Sequence, residues 1–224
     1  MPFLTPLAPL TLTGELVELR PLDPADHDGL VAAVEDGEIW RLEYTRVPAP
    51  QEMAAEIDRR LALADAGLML PFTTVRRGRD GAEDTVIGMT TLCNVEEAHR
   101  RVEIGYTWNA RSAQRSGTNT ESKLLLFHHA FDVLGAVVVQ FHTDARNLPS
   151  QKAIERLGAR RDGVLRSDTT MPDGYVRDTV VYSVIAAEWP AVRAGLEARL
   201  EAGAIAAARP AVTSASPTTT ADPA

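Results

Sequence analysis

Hydrophobic and polar positions alternate along Leu16-Val17-Glu18-Leu19-Arg20, and this period of two predicts a strand. Asp23-Pro24 then marks a helix start, with aspartate as cap and proline at the first helical position, where its missing N–H is not needed; the helix is predicted to reach about Val34. Met53, Ile57 and Leu61 recur at four-residue spacing, which predicts a second helix over Gln51–Ala66 stopped by Gly67. Leu68–Arg76 and Thr85–Leu92 read as a hairpin turning through Arg77-Gly78-Arg79-Asp80-Gly81, and Arg101–Trp108 as a third strand. A polar loop, Asn109–Asn119, leads to a helix on which Leu124, Phe127, Phe131 and Leu134 share a face, ended by Gly135. Ala136–Phe141 is almost continuously apolar, as in a strand covered on both faces. A short helix from Pro149 to Gly158 follows. Then come a hairpin pairing Gly163–Ser167 with Val176–Ile185 around Pro172-Asp173-Gly174, and a last helix carrying Trp189, Val192, Leu196 and Leu200.

The predicted order is strand, two helices, three strands, helix, strand, helix, two strands, helix: one mixed α/β domain over residues 1–201. From about 202 to 224 the chain turns to Ala, Pro, Ser and Thr without aromatics, and this tail is expected to be disordered. The strand–loop–helix–strand–helix segment in the middle is where a ligand is expected in such proteins.

Composition narrows the function. Hydrophobic residues at 45% and charged residues at 24% are ordinary for a globular chain. No apolar run approaches the roughly 18 residues of a membrane span. Met1–Pro6 lacks a basic region and is broken by prolines, so a cytoplasmic address is expected. One cysteine, Cys93, excludes a disulfide framework and a cysteine-rich metal site, and it reads as a core residue. The net charge of −8 argues against nucleic acid, and it suits a cationic amine substrate as well as it suits solubility. Of 23 basic residues only Lys123 and Lys152 are lysine, so no single arginine stands out. His128 and His129 are adjacent on a helix and point apart, which rules out a metal pair; His27 and His142 stand alone, and no metal is expected.

The loop Gln114-Arg115-Ser116-Gly117-Thr118-Asn119-Thr120-Glu121 joins a strand to a helix. Its small residues allow backbone N–H groups to approach an anion, and the helix start adds a positive dipole end worth about 0.3–1 kcal/mol. The same residues also suit an ordinary capped loop. Neither a Walker loop nor a three-glycine dinucleotide fingerprint is present.

Glu103-Ile104-Gly105-Tyr106-Thr107-Trp108 followed by Arg115–Leu126 resembles the GCN5-related N-acetyltransferase superfamily, in particular the branch of the ribosomal-protein N-terminal acetyltransferases. The block Thr143–Ala159, with Asn147 and Ser150, and the opening Leu16–Leu22 resemble further motifs of that branch, so the likeness covers about Gly14 to Leu200. It implies a central mixed, mostly antiparallel sheet of about seven strands flanked by helices, with acetyl-CoA as co-substrate. The diphosphate would lie on Arg115, Ser116, Gly117, Thr118, Asn119 and Thr120, and the pantetheine arm would bond backbone groups near Thr107 and Trp108 and the side chain of Asn147. Ser116 and Asn119 stand where the superfamily commonly has Gly and Ala, and they are expected to add donors. The acceptor pocket is implied near Trp40, Arg41, Glu43 and Tyr44. A homodimer is an expectation from the resemblance alone.

Acetyl transfer to an amine needs a proton acceptor, a polarised carbonyl and a proton for the departing thiolate. Glu103 is the candidate base, directly or through a water, or else an ion-paired strand carboxylate. Ser150 is the candidate acid, or else a first-turn helix residue. The expected activity is direct transfer from acetyl-CoA to a primary amine on a small molecule, an aminoacyl compound or a protein N-terminus. The rival reading is a catalytically silent CoA-binding regulatory or scaffold module.

Overall fold

The structure, a computed structural model, describes residues 8–79, 81–171 and 173–208. The reading of Met1–Pro6, Asp80 and Pro172 of the two predicted turns, and the tail from 209 onward lie outside the described residues.

In chain order the elements are β1 (Leu12–Thr13), β2 (Val17–Pro21), α1 (His27–Glu35), α2 (Met53–Asp65), β3 (Met69–Arg76), β4 (Thr85–Glu96) and β5 (Arg101–Asn109). They continue with α3 (Thr118–His128), β6 (Val138–Asp144), α4 (Leu148–Arg156), β7 (Arg160–Thr170), β8 (Val176–Ile185) and α5 (Trp189–Ala208). The predicted order holds. The sheet has eight strands rather than about seven, because the two-residue β1, too short to show a period, pairs with β2. Helix α5 runs past the predicted boundary at 201 to Ala208, since the alanines that open the low-complexity segment are themselves strong helix formers.

Asp23 caps the first helical segment by accepting from the Ala25 amide at 2.8 Å, with Pro24 directly after it. A π-helical turn over His129–Val133 extends α3 and brings Phe131 within 5.6 Å, centroid to centroid, of Trp189 on α5.

The sheet order is β1-β2-β3-β4-β5-β6-β8-β7, and every neighbouring pair is antiparallel except β5 and β6. Strand alternation sorts the core onto two faces. On one, Val102 and Ile104 of β5, Val139 and Phe141 of β6 and Tyr182 of β8 pack with Leu126 and Phe127 of α3 and Leu196 of α5. On the other, Ile87, Met89 and Trp108 pack under Leu30 and Val34 of α1 and Met53 and Ile57 of α2.

Candidate active site

The parallel ladder between β5 and β6 is short. It joins Arg101, Val102 and Glu103 to Val138, Val139 and Gln140, whereas β5 continues to Asn109 and β6 to Asp144. Past Glu103 the two strands part, so the edge of β5 that faces β6 has no strand partner. Because the strands are parallel, both end on the same side of the sheet, where each is followed by a helix N-terminus: α3 after β5 and α4 after β6. Ligands of α/β sheets are expected at such a place.

A bulge deforms the open part of β5. Thr91 pairs with Gly105 and Met89 with Trp108, which leaves Tyr106 and Thr107 opposite Thr90 alone. Tyr106 takes φ 51°, and its carbonyl accepts from Arg60 Nη2 at 3.3 Å. Arg60 is fully buried, held by Glu56 at 2.7 Å and Thr91 Oγ1 at 3.0 Å, so α2 grips the bulge from one face. From the other face Lys123 of α3 reaches it: Nζ donates to Thr107 Oγ1 at 2.9 Å and to Thr90 Oγ1 at 3.0 Å. The Thr107 side chain is therefore turned toward α3 and Trp108 is buried in the second core, which leaves their backbone, not their side chains, at the open edge of β5.

Sequence reading missed Lys123. Its signal was there: one of two lysines in an arginine-rich chain, set on an apolar helix. Burial without a carboxylate partner lowers its pKa to about 7.

The predicted anion loop comes together as one unit. Helix α3 begins at Thr118, one residue earlier than read, and Gly117 is its N-cap at φ 87°. A glycine cap offers no side chain, and the first intrahelical bond runs from Glu121 N–H to Gly117 O, so the amides of Thr118, Asn119 and Thr120 have no intrahelical acceptor. A Cβ at position 117 would meet Leu16 Cδ1 at 2.9 Å. Arg115 is also left-handed, at φ 63°, and exposed. The expectation that Ser116 adds a donor is corrected. Its hydroxyl donates to Ala113 O at 2.6 Å, and Thr118 Oγ1 donates to the same carbonyl at 3.0 Å, so both hydroxyls shape the loop from within.

At the end of β6, Asp144 Oδ1 accepts from the Arg146 amide at 2.7 Å. Asn147 then caps α4, its Oδ1 accepting from Ser150 N–H at 3.0 Å. Asn147 and Ser150 thus stand at the N-terminus of α4, directly after the open end of β6.

Glu103 sits at the last rung of the parallel ladder. Its Oε2 accepts from Asn94 Nδ2 at 2.7 Å and lies 2.7 Å from His142 Nδ1. His142 is not isolated, as its sequence surroundings suggested; the two residues meet only because β5 and β6 are neighbours. Cys93 is buried beside this pair, and burial pushes its thiol up. Among the described residues no cluster of His, Cys, Asp or Glu could hold a metal ion, and no helix is long and apolar enough to cross a membrane.

On the same sheet face as α2, a cleft of about 650 Å³ opens between the α1–α2 connection, α2 and the β7–β8 turn. Glu43, Glu52, Glu56 and Asp173 line it with Arg46 and Arg59, a net acidic set in which Glu56 is paired with Arg59 at 2.7 Å. Of the residues between the first two helices, Glu43 faces this cleft, whereas Trp40 and Arg41 form a separate turn in which the guanidinium stacks 4.7 Å from the indole.

Residues 17–160 match the family described as acetyltransferase (GNAT) domain. The chain belongs to the GNAT acetyltransferase family. The Bacillus subtilis protein YdaF, whose name places it among ribosomal N-acetyltransferases, is 31% identical over 107 residues, or 48% of this chain. That alignment spans 57% of YdaF, little more than half the length of this relative. Among solved structures, an acetyltransferase from T. thermophilus superposes with a TM-score of 0.74 at 37% identity, covering 87% of this chain and 98% of that one. RimJ of Mycobacterium smegmatis, solved in complex with CoA-disulfide, superposes with a TM-score of 0.67 at 25% identity, covering 86% and 93%. These names support the ribosomal-protein branch of the family, and the GNAT fold is one that binds acetyl-CoA or CoA.

Proposed function

We propose that this chain transfers the acetyl group of acetyl-CoA directly to a primary amine. The observation that carries the reading is the parting of β5 from β6 beside a helix start whose amides are open. An unpaired strand edge suits the two amides of a pantetheine arm, and three N–H groups without an intrahelical acceptor, next to a left-handed glycine cap, suit a diphosphate. Acetyl-CoA supplies an activated acyl group as a thioester.

The chain supplies the rest. Arg115, Ser116, Gly117, Thr118, Asn119 and Thr120 hold the diphosphate, chiefly through backbone amides. Backbone groups near Thr107 and Trp108, with the Asn147 side chain, hold the arm. Glu103 provides the negative charge that draws a proton from the amine, and the Ser150 hydroxyl protonates the departing sulfur. Positioning of this kind accounts for effective molarities on the order of 10⁵–10⁸ M. The net acidic cleft favours a cationic acceptor, and the name of YdaF, a ribosomal N-acetyltransferase, points to an amine of a ribosomal protein.

The test is thiol release from acetyl-CoA across a panel of alkylamines, aminoacyl compounds and peptides, with each peptide also supplied N-terminally blocked. Release with free but not blocked peptides is expected. Tight CoA binding without release for any amine would instead support the silent CoA-binding module.

A further inference from the structure

Strand alternation turns His142 away from its neighbour Phe141, which lies in the core under α3, and onto the face that carries α2 and the acidic cleft. There its ring stands in front of Glu103. The His142 side chain is 28% exposed and that of Glu103 8%, so an amine approaching this face meets the imidazole first. Glu103 Oε2 is already engaged by Asn94 as well. An ionised carboxylate only accepts hydrogen bonds, so the proton between them belongs to His142 Nδ1, and the lone pair of the neutral ring lies at Nε2.

We propose that His142 is the proton carrier of this site: Nε2 takes a proton from the acceptor's ammonium group, and Glu103 is a positioning residue that fixes the ring. This rests on the transfer reading above and replaces direct contact between amine and Glu103. The balance is simple. The ammonium gives one proton to Nε2 and becomes a neutral amine, with the imidazolium charge offset by Glu103. The nitrogen lone pair forms the C–N bond as the C–S bond breaks. A second nitrogen proton ends on the sulfur, and His142 returns the first to solvent.

Three charged groups face the ring: Glu103 on β5, Asp168 on β7 and Arg177 on β8. The Glu103 hydrogen bond is the largest influence and raises the imidazole pKa; burial and Arg177 oppose it, Asp168 adds to it, and the net direction is upward. A raised pKa makes Nε2 a stronger base that is free only at higher pH, so turnover should climb as pH rises through it.

Two measurements test this together. Imidazole ¹⁵N NMR of the full chain should show His142 with its hydrogen on Nδ1 and its titration raised from the ordinary histidine value; Glu103→Gln should move that titration down. The pH profile of kcat should follow the same titration. His142→Gln should abolish the limb and lower kcat about 100-fold or more, while Glu103→Gln should shift the limb to lower pH. A hydrogen on Nε2, or a limb that survives in His142→Gln while Glu103→Gln abolishes it, overturns the assignment. A wild-type protein that acetylates no amine removes the transfer reading itself, and the relay falls with it.

Discussion

The Glu121 carboxylate accepts the Leu16 amide at 2.7 Å, although 105 residues separate them. It also accepts the amides of Glu15 at 2.9 Å and Val17 at 2.8 Å, and a Cβ at Gly14 would overlap it. One buried side chain in the first turn of α3 thereby satisfies three donors of the β1–β2 turn and ties the anion loop to the edge of the sheet. Glu121→Ala would strand all three. The expected loss is about 3 kcal/mol, seen as a lower urea midpoint, with Glu121→Gln less damaged because one oxygen remains. An unchanged midpoint for the alanine variant would remove this role.

Gly117 carries two separate constraints, its φ of 87° and the crowding by Leu16. Gly117→Ala should lower stability by about 1–2 kcal/mol from the backbone alone and weaken CoA binding measured by thermal shift. Adding Leu16→Ala should relieve the crowding without restoring CoA affinity, because the backbone constraint stays.

Asn147 offers a clean separation of structure from binding. Asn147→Asp keeps an oxygen for the Ser150 amide, so thermal stability should stay within about 0.5 kcal/mol, yet it loses the Nδ2 donor and gains a charge. CoA affinity should fall in that variant. Asn147→Ala should lose both, with about 1 kcal/mol of stability from the missing cap. Equal CoA affinity in wild type and Asn147→Asp would exclude the side chain from the pantetheine site.

Lys123 makes stability depend on pH. Its folded pKa, about 7, lies below its ordinary value of 10.5, so between these the unfolded chain binds more protons and stability rises with pH, by up to about 1.4 kcal/mol per unit. The penalty is fully present below about 7. Cys93, pushed upward, acts oppositely above its ordinary value of 9.0. Lys123→Met should therefore be more stable than wild type at pH 7, and the gap should narrow by pH 9 in denaturant titrations. A constant gap would show that Lys123 stays charged in the fold.

Local patterns carried the order of elements, the Asp23-Pro24 cap and the Arg115–Thr120 loop, because period, cap and turn chemistry act over a few residues. The residues that sequence reading left out act across the fold. Glu121 reaches a turn 105 residues away, Arg60 a carbonyl 46 residues away, and His142 meets Glu103 through a neighbouring strand. The bulge at Tyr106 was hidden because no glycine marks its left-handed position; it is set instead by Arg60 and Lys123 from opposite faces.

The parallel ladder that joins the five-stranded half of the sheet to the three-stranded half is only three residue pairs long. A slender molecule lying along the gap would act as a ninth strand and splint the two halves. Backbone amides of β6 and β8, far from any phosphate, should then exchange hydrogen more slowly once CoA is bound.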